Sequence, residues 1–252
     1  MVARWLDALA FSSVWVAAAA GALCAASARA MGLTASAATL LLAVCGTLVV
    51  YNVDRLRDLD RDRATTPLRS AWVEAHRPFI VATTGVAMLL AFLLALRAGG
   101  RAIALLAPVL LLGLLHRRLK RFALWKSFYI TLAWVAVTVG LPAVTGAAPR
   151  HVGWTTAALF ATILANVVVS NVRDGEAVSA LLGEGVPLRI ARGCAVLGIA
   201  CALAAPASVR PVGLVPLATL VALIPFHPGE RYGLVTVDGA LLFGALGALP
   251  LF

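Results

Sequence analysis

At 252 residues, 62% apolar and only 13% charged, with a mean hydropathy of +0.97, the chain is excluded from the soluble globular class and belongs with integral membrane proteins. Its net charge of +10 would suit nucleic acid in a soluble protein. In a membrane protein the same excess sets orientation and meets anionic lipid, so no nucleic-acid partner is expected.

Apolar stretches long enough to cross the hydrocarbon core as helices, roughly 17 to 25 residues each, recur nine times. They lie near 8–28, 33–53, 79–98, 101–116, 123–147, 152–172, 190–209, 212–227 and 233–251, the fourth and eighth being short. The spacing predicts an all-α bundle of nine transmembrane helices in a single domain over 1–252. The first run has no polar small-residue cleavage region after it and reads as a retained helix. Basic residues mark the cytoplasmic side of a membrane protein. With the N-terminus inside, sixteen of the 21 basic residues become cytoplasmic, leaving Arg29, Arg97, Arg101, Arg150 and Arg210 outside. Such a bundle belongs in the cell membrane. Cys24, Cys45, Cys194 and Cys201 fall inside spans at no metal-like spacing and read as small packing residues.

After the second run the chain reads VVYNVDRLRDLDRDRATTPLRSAWVEAHRP, with Asp54, Asp58 and Asp62 at four-residue steps. On a helix such steps return to one face, giving an acidic edge that repels itself unless a cation or arginines meet it. A surface helix with Asp and Arg paired at three- and four-residue spacing would account for the pattern without any ligand. A Mg2+ site for a phosphorylated ligand accounts for it as well. Mg2+ is held by one or two carboxylates plus substrate phosphates, and arginine forks add bidentate phosphate contacts. Loops this long in a compact bundle are usually functional.

The fourth and fifth runs are joined by HRRLKRFALWKS, a basic cluster that also fits a positive-inside anchor. After the sixth run comes NVVVSNVRDGEAVSALLGEG, where Asn166, Asn171, Asp174 and Glu176 end an apolar helix on the same side. Polar groups at that depth face a bundle interior or a wet cavity. Two such segments, four helices apart, suggest a site between two half-bundles. Asp238, inside the ninth run, reads equally as structural or functional.

The chain resembles the UbiA superfamily of intramembrane prenyltransferases, whose members carry Asn-Asp-x-x-Asp-x-x-x-Asp after the second helix and Asp-x-x-Asp-x-x-x-Asp after the sixth. Asp58 and Asp62 keep the last two acids of the first motif, and Pro67 with Arg69 keep its downstream Pro-x-Arg. Asp54 and Arg55 stand where the family has Asn and Asp, with Asn52 as a shifted Asn. In the second motif Asn171 and Asp174 take the first two places, Val178 replaces the third acid, and Glu176 lies nearby. Lys120 and Arg121 match the family's Lys-Arg pair, with His116 at the place of its Tyr.

The resemblance implies ionisation of an isoprenyl diphosphate with Mg2+ and transfer of the prenyl group to a lipophilic acceptor within membrane lipid. It assigns Asp58, Asp174 and Lys120 to catalysis and Asp54, Asp58, Asp62, Asp174 and Glu176 to the metal. Asn52, Arg55, Arg69, Arg121, Asn171 and Arg173 would bind the phosphorylated ligand. A groove with Trp134, Phe128 and Leu132 would shield the allylic cation. The alternatives are a terpene synthase or cyclase of the same fold, a non-catalytic prenyl-lipid-binding protein, and a transporter, against which the one-sided acids argue.

Overall fold

Each apolar run forms helix in the computed structural model, which describes residues 2–119, 123–175, 183 and 185–252 and contains no strand among them. The first run departs from the expected single span. Helices α1 (Val2–Phe11) and α2 (Val14–Ala30) are bent 71° from each other. The break falls at two consecutive serines, where Ser13 adopts φ 66° in the left-handed region, and helix hydrogen bonding cannot run through such a residue.

Helix α3 (Ala37–Thr65) begins at Ser36, whose hydroxyl accepts from the Thr39 amide at 3.1 Å. Its 29 residues exceed the roughly 20 needed to cross the hydrocarbon core, so the charged last turns project beyond it. The segment expected as a loop is therefore helical. After a break at Thr66 it continues as α4 (Pro67–Ala75), with Pro67 at the first helical position, where its missing N–H costs nothing.

Next come α5 (Arg77–Ala98) and α6 (Gly100–Leu119), then α7 (Ala123–Val135), which runs through a π-helical turn (Ala136–Gly140) into α8 (Leu141–Thr145). Helices α9 (Val152–Arg173) and α10 (Gly185–Ala204) follow. A 3-10 turn (Arg210–Gly213) opens α11 (Leu214–Leu223), and a second π-helical turn (Tyr232–Val237) opens α12 (Asp238–Ala248).

Among the described residues six helices are long and apolar enough to cross a membrane, seven if the bent α1–α2 pair is one span. Gly100–Gly113 and Arg210–Leu223 are apolar but shorter, and they fall where the fourth and eighth runs are short. Among the described residues, six or seven of the nine expected crossings thus meet the length requirement, and the helices at the other two fall below it.

Helix α2 occupies the centre, packed on α3 and α12, while α9 packs on α7 and α10. The α2 interface is built of Ala19, Ala20 and Ala26, with Leu23, Trp134, Leu159 and Leu241 filling the space around it. Small residues let helices approach closely in lipid, where the hydrophobic effect does not drive association. At Gly244 a Cβ would lie 2.7 Å from the Val215 Cα, so α11 and α12 meet backbone to backbone. Val86, Leu89, Phe92 and Leu96 on α5 point outward, as lipid-facing side chains do.

Candidate functional site

The ends of α3 and α9 carry polar side chains into the bundle at the same end of the molecule. On α3 the inward row is Asn52, Arg55 and Asp58, all buried, continued by the partly buried Asp62. The spacing of three, three and four follows one helix face. Asp54, first rung of the expected acidic edge, sits beside that row and is half-buried.

Asn52 and Arg55 hold the α1–α2 break. The Asn52 Oδ1 accepts from the Ser13 hydroxyl at 2.6 Å. Arg55 donates to the carbonyl of Ala10 at 3.1 Å and to that of Phe11. These are terminal carbonyls of α1, which have no intrahelical partner and carry the negative end of the helix dipole.

Arg69, at the start of α4, is held from two directions. Its guanidinium donates to Asp62 Oδ2 at 2.8 Å and to Thr66 Oγ1 at 2.9 Å. Its backbone N–H and that of Leu68 donate to the Glu230 carboxylate at 2.6 and 3.1 Å, which satisfies the free amides of the helix start.

At the end of α9, Asn171 donates to the Ser127 hydroxyl at 2.8 Å, tying α9 to α7. Arg173 donates to Asp174 through Nε at 2.8 Å and Nη2 at 3.0 Å, a fork gripping both carboxylate oxygens. Burial pushes the Asp174 carboxyl up, but the Arg173 guanidinium, helped by Arg69 and Lys126, outweighs it and draws the pKa down to about 2. The Arg173 side chain is only 6% exposed. Its Nη1 is buried with no hydrogen-bond partner among the described residues. The stem of this arginine lies on Gly233 in the second π-helical turn: a Cβ there would overlap Cδ and come within 3.1 Å of Nη1. One residue past that turn, buried Asp238 accepts from Asn166 at 3.1 Å.

These groups share one polar interior. Arg55 lies within electrostatic reach of Arg69, Arg173 and Asp238, and Asp174 within reach of Arg69 and Lys126. Side chains from α3, α4, α7, α9 and the start of α12 therefore meet. Of the residues singled out in the sequence, Arg55, Arg69, Arg173 and Asp174 are brought together here, with Asn52, Asp58, Asp62 and Asn171 on the elements that carry them. Lys120, Arg121 and Glu176 lie outside the described residues, as does Val178.

Lys126, 5% exposed, joins the site although the sequence reading left it among the anchoring bases. Its signal was available: a lone lysine between Trp125 and Ser127 in the otherwise apolar ALWKSFYITLAWV.

The expected aromatic groove is corrected in two places. Phe128 and Leu132 are four residues apart on one face of α7 and point out of the bundle, 39% and 43% exposed. Trp134, on the other face, turns inward and donates to the Tyr51 hydroxyl at 3.1 Å, the rings crossing edge to face at 6.2 Å. A separate open groove of about 890 Å3, lined by Trp5, Phe11, Leu68, Trp72, Phe79 and the Asp7–Arg231 ion pair, lies on the outer side of α1 and includes none of the buried cations.

The described donor set does not fit a divalent cation as folded. Asp62 and Asp174 are each taken by a guanidinium, and no three His, Cys, Asp or Glu side chains among the described residues converge on one point. The same set does fit an anion, for which buried guanidinium nitrogens are the matching donors.

Among solved structures the chain is similar to a digeranylgeranylglyceryl phosphate synthase in membranes, a UbiA-family prenyltransferase, at 14% sequence identity and a TM-score of 0.58, with 99% of each chain covered. That likeness gives the chain a UbiA-like fold. No family model and no curated protein matches it.

Proposed function

We propose that the protein is a multi-pass membrane prenyltransferase, built as one domain over 1–252, that binds an isoprenyl diphosphate and transfers its prenyl group to a lipophilic acceptor. One observation carries the reading. Arg55, Arg69, Lys126 and Arg173, from four different helices, are all buried at one end of a UbiA-like bundle. Arg69 and Arg173 have more N–H groups than they give to Asp62 and Asp174, and a diphosphate is the ligand whose oxygens match clustered guanidinium and ammonium donors. The site end and the N-terminus face the cytoplasm in this reading, as the distribution of basic residues favours.

In the reaction the allylic C–O bond breaks and its electron pair leaves with the diphosphate. The allylic cation then forms a bond to the acceptor, which loses a proton, or it closes on its own chain in a cyclase. Arg69 and Arg173, already oriented by carboxylates, stabilise the charge that grows on the departing oxygens. Asp62 and Asp174 keep these cations at the site, and Trp134 with Tyr51 closes it from the apolar side. The Mg2+ expected from the resemblance has no donor set assembled for it among the described residues.

The test is diphosphate release by the purified protein in detergent, with prenyl diphosphates of several lengths and a membrane extract as acceptor source, with and without Mg2+. Release that falls in Asp58→Ala and Asp174→Ala supports the reading, and no release under any condition refutes it. One observation favours a second reading, a non-catalytic prenyl-lipid binder: Asp62 and Asp174, two of the five acids assigned to a metal, are engaged by Arg69 and Arg173. Saturable binding without release would select it.

A further inference from the structure

Arg173 combines three features seldom found together. Its side chain is 94% removed from solvent, being 6% exposed. One edge of its guanidinium, Nε and Nη2, is taken by Asp174, while Nη1 has no acceptor among the described residues. Its stem is laid against bare backbone at Gly233, where a methyl group would overlap it. A buried cationic donor without an acceptor is unfavourable in the empty protein, and the deficit is removed when an anion arrives. Arg69 is also oriented by an acid: Asp62 and Thr66 both accept from its Nη2, and Glu230 fixes the backbone from which the side chain springs.

The acids thus orient arginines. A carboxylate on one edge of a guanidinium leaves the remaining N–H groups aimed and limits the rotamer freedom lost on binding. We propose that Asp62 and Asp174 act as positioning residues for Arg69 and Arg173, and that these two arginines capture the diphosphate directly, without a divalent cation. The inference rests on the isoprenyl diphosphate reading and deepens it. Metal dependence, where turnover shows it, then belongs to a step after capture.

The experiment is calorimetric titration of the full-length protein in detergent with inorganic pyrophosphate, in EDTA and again in Mg2+. Saturable binding in EDTA is expected. Arg173→Lys, which keeps the charge but loses the fork, should weaken it by about tenfold, the value of a charge-assisted hydrogen bond. Asp174→Asn separates the two roles of the acid. A positioning residue lowers affinity in EDTA, whereas a metal ligand leaves affinity in EDTA unchanged and removes only the gain from Mg2+.

Binding that appears only with Mg2+ overturns the inference, as does unchanged affinity of Asp174→Asn in EDTA, and the prenyltransferase reading survives both. If Arg173→Lys does not fold, the wild-type comparison of EDTA with Mg2+ still decides. Failure of pyrophosphate to bind under either condition, together with no release from prenyl diphosphates, overturns both.

Discussion

Replacing Gly233 with alanine tests whether the second π-helical turn exists to seat Arg173. The new Cβ would overlap the arginine's Cδ and lie 3.1 Å from Nη1, so either the side chain or the turn must move. Swinging the arginine away breaks two charge-assisted bonds to Asp174, at 2.8 and 3.0 Å, worth about 1.5–3 kcal/mol each. Overpacking of a well-filled site costs about 1–3 kcal/mol. The turn should therefore yield, shifting Tyr232–Val237 and the adjoining Asp238 at the site while the Arg173–Asp174 pair survives. The expected result is a stability loss of about 1–3 kcal/mol, seen as a lower Tm by tryptophan fluorescence in detergent. Diphosphate release should fall with it, by about tenfold for each 1.4 kcal/mol of lost transition-state stabilisation. Gly247→Ala is the control, because a Cβ there meets Leu214 Cδ1 at an ordinary 3.6 Å. Equal Tm and equal release for the two variants would refute the argument.

Arg55→Gln should destabilise the fold by about 1–3 kcal/mol by leaving the Ala10 and Phe11 carbonyls poorly satisfied, which a thermal melt checks. The pH dependence of Asp174 has a definite sign. Its pKa is depressed to about 2, so its ion pair contributes fully above the ordinary carboxylate range and is lost as pH falls through 2. The stability difference between wild type and Asp174→Asn should be flat from about pH 5 upward and shrink only in acid, as measured by melts across pH. Lys126→Gln should raise the KM for prenyl diphosphate by about tenfold or more, read from diphosphate-release kinetics. Phe128→Ala, on an outward face, should leave release kinetics unchanged.

The bundle was legible in the sequence because a membrane leaves few choices: backbone groups must be satisfied internally, so long apolar runs become helices. The break at Ser12 and Ser13 was not legible, since it depends on Asn52 and Arg55, forty residues away in sequence, holding the turned chain. The acidic edge was seen, but its partners were not. Four-residue spacing grouped Asp54 with Asp58 and Asp62, whereas the buried row is Asn52, Arg55 and Asp58, because burial is set by what packs against α3 and not by like charge. Arg69 and Arg173 were visible as phosphate-binding candidates. That each pairs with a neighbouring acid depends on tertiary geometry that no spacing rule contains.

Glu230 and Arg231 give the assembly of this protein an order in time. Glu230 reaches the free amides of α4, and Arg231 pairs with Asp7 near the start of the chain at 2.8 Å. Both sit just before the last apolar run, so on the ribosome α4 and its Arg69 are made long before the residue that fixes them. A nascent chain that stalls before residue 230 would carry an inserted but unlatched site.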